Sequence, residues 1–137
     1  MSATEAMQNW LALEHESVWL YPVIGARFDQ LTQRAREAHD AHLSTRDHLL
    51  ARLHTLDIEP VPAKLSYAVG SLSSPQVAIK LARRLEQAIA AACLDLAGES
   101  SEQGDQKYAI TRLRRAARAE MAWGGEPRAF PGLAAQS

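Results

Sequence analysis

The sequence is poor in cysteine and in aromatic residues, which excludes an internal disulfide and a core built mainly from aromatic side chains. Cysteine occurs once in 137 residues, at Cys93, so no disulfide can form within the chain and a reducing compartment is the default. Aromatic residues make up only 6 % of the chain, so a core must be built largely from Leu, Ala, Ile and Val. Many alanines with few β-branched residues favour helix over strand.

The chain also lacks a charge excess and a long apolar run. Fifteen basic and 16 acidic residues leave a formal charge of −1, which gives no indication of nucleic acid or a membrane surface as a partner. The longest uncharged apolar stretch, residues 17–26, is about half of what a membrane span needs. The N-terminus, MSATEAMQNW, lacks the basic start and apolar run of a signal peptide. We expect a cytoplasmic protein.

The first of four amphipathic segments begins with a helix-start signal. Ser2, followed three residues later by Glu5, predicts a capping box. The helix is expected to run to about Gly25, and Pro22 is expected to kink its last turn or to end it early. Its apolar stripe consists of Met7, Leu11, Glu14, Val18 and Tyr21.

The second segment has a predicted helix cap and an apolar face. Asp29 is expected to cap it, and its end is expected near Asp57. The residues that line one face are Leu31, Ala35, Ala38, His42, Leu49, Leu53 and Leu56.

Two further helices follow a long connection. Ser74 and Pro75 predict a cap and a first helical residue, and Gly98 is expected to close the third helix. The fourth helix is expected to stop at Gly124 and Gly125. Its predicted apolar residues are Tyr108, Ile110, Leu113, Ala117 and Met121.

The lengths of the connections predict the topology. The outer two connections are short, which makes antiparallel neighbours. The second helix is about 40 Å long, and the connection over residues 57–74, if extended, reaches up to about 56 Å, enough to cross a bundle. We therefore predict one all-α domain over residues 1–137, a ferritin-like four-helix bundle with one long crossover between helices 2 and 3. A plain up-down bundle with a compact surface loop is the alternative.

Four segments carry a resemblance to a known family. They read ALEHESVWLYPVIGA, AHLSTRDHLLARL, EPVPAKLSY and AWGGEPRAFPGL, and their order and spacing span nearly the whole chain. Together they resemble an uncharacterised ferritin-like domain family known mainly from actinobacterial proteins. The resemblance implies the fold, but the family offers no established activity.

A few polar residues lie on the predicted apolar stripes. Glu14 with His15 on helix one, His42 on helix two and Glu86 on helix three are the candidate binding residues. Groups of this kind bind metal or do acid–base chemistry inside some bundles. The competing interpretation is that they satisfy one another by hydrogen bonds or lie at the stripe's edge. Cys93 is expected to be a buried, inert hydrophobic residue.

The sequence does not support di-iron chemistry. Ferritin-like di-iron sites commonly need a Glu-x-x-His pair on each of two helices. Glu37 is followed three residues later by Asp40, and Glu120 by Trp123. All histidines lie at or before His54, so helices three and four supply no imidazole. We predict no catalytic residue, no metal ligand and no cofactor.

Two functional hypotheses remain. One is a non-enzymatic bundle that acts through its surface, as a homo-oligomer (a dimer) or as the partner of another protein. The alternative is a metal-binding protein or metal-dependent oxidoreductase that uses the bundle core. The basic residues of helix four are expected to be solvated or salt-bridged, since acids precede them. The tail, with Phe130, Pro131 and Leu133, is expected to pack on the bundle.

Overall fold

A computed structural model describes residues 1–124 of the chain. In that range the protein has four α-helices, a short 3₁₀ helix and no strand. The elements are α1 (Ala3–Arg27), a 3₁₀ helix (Asp29–Leu31), α2 (Thr32–Thr55), α3 (Pro75–Glu99) and α4 (Gln103–Ala122). The predicted all-α class with four helices is confirmed. The tail prediction falls on residues 125–137, which lie outside the described range.

The start of α1 is the predicted capping box. The Glu5 backbone N–H donates to Ser2 Oγ, and the Ser2 N–H donates to the Glu5 carboxylate, each at 3.1 Å. An early end at Pro22 is wrong, because α1 continues through Pro22 to Arg27. Proline removes only one helical hydrogen bond, and Tyr21 and Ile24 on either side are fully buried, so packing holds the last turns in helical form.

The predicted cap at Asp29 is also wrong. Asp29 begins the 3₁₀ helix, and α2 begins at Thr32 without a side-chain cap. The Thr32 hydroxyl instead donates to the carbonyl of Gly25 at 2.6 Å, back across the turn. This bond closes the α1–α2 hairpin. A Cβ on Gly25 would lie 3.3 Å from the Ala35 Cβ, so glycine permits the close approach of the two helices.

α2 ends in a Schellman motif with an aspartate at its left-handed position. Asp57 has φ 58°, the Ile58 N–H donates to the Leu53 carbonyl at 3.0 Å, and the Asp57 N–H donates to the His54 carbonyl at 3.0 Å. The predicted end near Asp57 agrees with the observed last helical residue, Thr55.

Asp57→Gly is expected to stabilise the protein by about 0.5 to 1 kcal/mol, since only glycine adopts this backbone conformation without a steric cost. Chemical denaturation measures the change. Asp57→Ala is the matched control and is expected to be no more stable than the wild type. Equal stability of the glycine and alanine variants would contradict a strained Asp57.

The boundaries of α3 follow the predicted signals with one adjustment. The Val77 N–H donates to Ser74 Oγ at 3.3 Å, so Ser74 caps the helix and Pro75 is its first residue. Gly98 does not close the helix, which extends to Glu99. After α4, Gly124 has φ 91°, the left-handed conformation expected at a helix stop.

The predicted apolar face of α4 is wrong. Ile110 and Met121 are 40 % and 47 % exposed, and the buried residues of α4 are Ala109, Ala116 and Glu120, followed by Trp123. The buried face is therefore rotated by about a quarter turn from the predicted one. Small alanines allow close helix packing but carry little weight in a hydrophobic pattern. The prediction therefore followed the larger side chains, which lie on a different face.

The chain divides into two compact units. One comprises Leu11–Ala78, with most of α1, all of α2 and the connection that follows. The other comprises Met1–Trp10 and the described chain from Ile79 to Gly124. Residues 56–74 contain no helix, as predicted. In the second unit, Trp10 packs on Tyr108 with ring centroids 5.8 Å apart. The single-domain prediction stays a prediction.

Candidate functional site

A carboxylate and an imidazole meet inside the Leu11–Ala78 unit. His42 Nδ1 donates to Glu14 Oε2 at 2.6 Å, and the two side chains are 10 % and 1 % exposed. Both positions were predicted as polar members of apolar stripes, and the α1–α2 hairpin brings them together across 28 residues of sequence. A hydrogen bond this short fixes the orientation of the imidazole ring.

Tyr21 completes this cluster from one side. Its ring is fully buried and stacks on His42, with centroids 5.5 Å apart and planes inclined by 5°. The sequence placed Tyr21 on the core stripe but gave it no role at the site. The signal was its spacing, since residues seven apart share a helix face and Tyr21 lies seven after Glu14. The imidazole is thus held by a carboxylate at its edge and an aromatic ring on its face.

His15 faces the long connection between α2 and α3. Its Nε2 donates to the Val61 carbonyl at 3.0 Å, and the residue is 8 % exposed. Its Nδ1 is buried and has no hydrogen-bond partner within residues 1–124. Of the candidate binding residues, His15 therefore serves to fasten the connection to α1. Its predicted binding role stays a prediction.

One further contact fastens the same connection to α1, and a second contact lies within the connection. Trp19 packs against Tyr67 with ring centroids 5.7 Å apart. Lys64 lies with its Nζ 5.9 Å from the centre of the Tyr67 ring, a cation–π distance. Sequence periodicity could not reveal these partners, because an irregular segment has no period that says which side chain turns inward.

Glu16 is a partly buried carboxylate beneath this connection. Burial raises the pKa of the Glu16 carboxyl above its ordinary value of 4.5, and the positive charge of Lys64 opposes the rise. A carboxyl whose pKa is raised by folding gives its full stability contribution below its ordinary pKa. It loses that contribution as the pH rises through the raised value.

Glu16→Gln is therefore expected to stabilise the protein at pH 7 relative to the wild type, and to do so less at pH 4. The amide avoids the cost of burying a charge but keeps the shape of the side chain. Thermal unfolding at the two pH values measures the difference. Glu99→Gln, at an exposed carboxylate that ends α3, is the control. A larger gain at pH 4 than at pH 7 would contradict the assignment.

The fourth candidate, Glu86, lies in the other unit. It is on α3 and is 1 % exposed, so the predicted stripe position is indeed a buried one. Cys93 on the same helix is fully buried, as expected, and forms no disulfide within the chain. In this unit the structure adds a polar pair: Gln87 Nε2 donates to the carboxylate of Glu120, 5 % exposed, at 2.8 Å. From the sequence, Glu120 was considered only as a carboxylate without a histidine three residues later.

The arrangement does not fit a metal centre of the ferritin kind. Within the described residues, no three His, Cys, Asp or Glu side chains are gathered closely enough to hold a metal ion. His39, one turn from His42, faces Asp40 at 3.5 Å and is 29 % exposed on its side chain. A dinuclear site needs several carboxylates and imidazoles that converge, and these residues instead pair off.

A groove opens beside the cluster at the α1–α2 turn. It has a volume of about 380 Å³, its walls are mainly apolar, and Arg36 and His39 contribute a guanidinium and an imidazole. Tyr21 belongs to its lining, but Glu14 and His42 do not. The buried pair is therefore not presented to a ligand in this groove.

These observations define an all-α protein of four long helices with a closed carboxylate–imidazole pair in one helical hairpin. The chain belongs to the family described as Domain of unknown function (DUF4439), whose model matches residues 6–135.

The fold is also similar to a solved structure. It is that of a conserved hypothetical protein, rv2844, from Mycobacterium tuberculosis, with a TM-score of 0.83 and 24 % sequence identity over 88 % of this chain and 93 % of that chain. A search of curated proteins finds no match. Within residues 1–124 no helix is both long and apolar enough to cross a membrane.

Proposed function

We propose that this protein is a non-enzymatic helical-bundle protein that acts through its surface, by associating with a second copy of itself or with another protein. The observation that carries the proposal is the closed Glu14–His42 pair. The two groups best suited to chemistry lie 2.6 Å apart and are almost completely buried. A pair of this kind stabilises and orients helices, and neither member is displayed to a substrate.

The metal-dependent alternative has weaker support. It would need a third ligand beside Glu14 and His42, and no such group of three occurs in the described range. His15 is committed to the Val61 carbonyl through Nε2. A single metal at the Glu14–His42 pair would have to displace a short hydrogen bond and would gain only two protein ligands, fewer than protein metal sites use.

The proposal includes the ferritin-like topology and a cytoplasmic location. Two features support the topology. The connections within the two helical hairpins are short, which favours antiparallel neighbours, and residues 56–74 form a long non-helical connection that is fastened to α1 at His15 and Trp19. A single buried cysteine with no disulfide partner supports a reducing compartment.

Self-association of the full-length protein is the first test. Sedimentation velocity over a hundredfold range of concentration is expected to show a concentration-dependent dimer. A monomer at every concentration would contradict the homo-oligomer form of the proposal. Association with a different protein is tested separately, by binding of an acidic amphipathic peptide to the full-length protein.

A further inference from the structure

One face of α4 points to solvent and is rich in cations. We call it the α4 cationic face and define it by six exposed residues: Lys107, Ile110, Arg114, Arg115, Arg118 and Met121. At about 100° per residue these positions share one side of the helix, opposite Ala109, Ala116 and Glu120 on its buried side. These residues therefore face solvent because the opposite side of α4 is buried in its unit.

The cations of this face are not neutralised by the part of the chain that is described. Within residues 1–124, none of Lys107, Arg114, Arg115 and Arg118 forms a salt bridge with an acidic side chain. The sequence from Gln106 to Ala119 contains no acid, and Glu120 is buried against Gln87. Four like charges on one helix face repel one another, so an opposite charge brought to this face is favoured.

An apolar row runs beside the charges. Ile110 and Met121 are 40 % and 47 % exposed and lie about three turns apart, with the half-buried Leu113 and Ala117 between them. These are the large side chains that the sequence pattern assigned to the core. The structure leaves them on the edge of the cationic face, where burying them further needs a partner.

We propose that the α4 cationic face is a docking surface for an acidic amphipathic helix of a partner protein. Such a helix sets its carboxylates opposite the four cations and its apolar stripe on Ile110 and Met121. The inference rests on the proposed function, since it names the surface and the chemistry of the partner.

Other occupants fit the face less well. A second copy docked through the same face by two-fold symmetry would bring four cations against four cations, which is repulsive. An anionic membrane would engage the charges, but the two large apolar side chains lie at the edge of the face and are less than half exposed, which leaves little to insert. Nucleic acid would leave Ile110 and Met121 without an apolar counterpart.

The test measures binding of a designed peptide to the full-length protein by fluorescence anisotropy. The probe is a labelled peptide of three heptads, with leucines on one stripe and glutamates beside it, and its control has the same composition in scrambled order. Four proteins are compared. They are the wild type, the charge reversal Arg114→Glu with Arg118→Glu, the matched reversal Lys80→Glu with Arg84→Glu on the exposed side of α3, and the apolar-row variant Ile110→Ser with Met121→Ser. The two charge reversals change the net charge equally.

We expect the wild type to bind the amphipathic peptide at least about tenfold more tightly than the scrambled one, with affinity falling as salt is raised. The α4 reversal is expected to weaken binding at least about tenfold, and the α3 reversal less than about twofold. Ile110→Ser with Met121→Ser is expected to weaken binding without changing its salt dependence.

Three outcomes would overturn the inference: equal affinity for the two peptides, equal loss in the two charge reversals, or tighter binding to anionic vesicles or duplex DNA than to the peptide. If sedimentation shows a dimer but the peptide does not bind, the docking surface fails while the proposed function stands. If the protein neither self-associates nor binds the peptide, both fail.

Discussion

Glu14→Ala is expected to lower the free energy of unfolding by about 3 to 5 kcal/mol, the range for removing one partner of a buried, hydrogen-bonded pair of ionisable side chains. The substitution leaves His42 buried without its carboxylate and opens a small cavity beside it. Folded domains are stable by only about 5 to 15 kcal/mol, so this single change removes a large part of the total. Urea denaturation followed by circular dichroism measures it.

The double substitution Glu14→Met with His42→Phe is the matched control. It replaces both polar groups by apolar ones of similar size, and Phe can keep the stack on Tyr21. Its stability is expected to lie within about 2 kcal/mol of the wild type, because apolar replacement of a whole buried pair is often close to neutral. A double variant as unstable as the sum of its single variants would contradict the coupling, as would a loss below about 1 kcal/mol for Glu14→Ala.

Trp10→Ala is expected to cost about 3 to 5 kcal/mol, the usual range for truncating a fully buried aromatic side chain. Trp10 is 0 % exposed and packs on Tyr108, which in turn has the Arg112 guanidinium 5.1 Å above its ring. Removing the indole leaves a large void and an aromatic contact without its partner. Thermal unfolding measures the loss.

Trp19→Ala is the comparison for Trp10→Ala. Trp19 is only partly buried and packs on Tyr67 of the long connection. Its truncation is expected to cost roughly half as much or less, since the neighbouring connection can collapse onto the space. Equal losses in the two variants would show that the void at Trp10 fills by rearrangement of the surrounding core.

The fold could be predicted from sequence where local signals agree with packing. Two predicted helix starts are confirmed, the capping box of Ser2 and Glu5 and the Ser74 cap before Pro75. They could be predicted because capping depends on residues within one turn. Pro22 and Asp29 misled the prediction because tertiary contacts outweighed a local preference: buried Tyr21 and Ile24 carry α1 past the proline. The buried face of α4 was predicted wrongly because small alanines form much of it.

The candidate site was predictable only in part. Glu14 and His42 could be named because a polar residue on an apolar stripe is conspicuous, and a hairpin brings such positions together. Their mutual pairing was one of two interpretations, and only geometry chose between them. The role of His15 could not be predicted, because its partner is a backbone carbonyl of an irregular segment.

The most direct measurement of the central claim is aerobic ferrous iron oxidation by the full-length protein, followed by absorbance against a protein-free blank. If the buried Glu14–His42 pair serves the fold and the protein acts through its surface, the rate equals that of the blank, and Glu14→Gln changes nothing. Saturable oxidation with two irons bound per chain, lost in Glu14→Gln while the helices remain folded, would contradict the account.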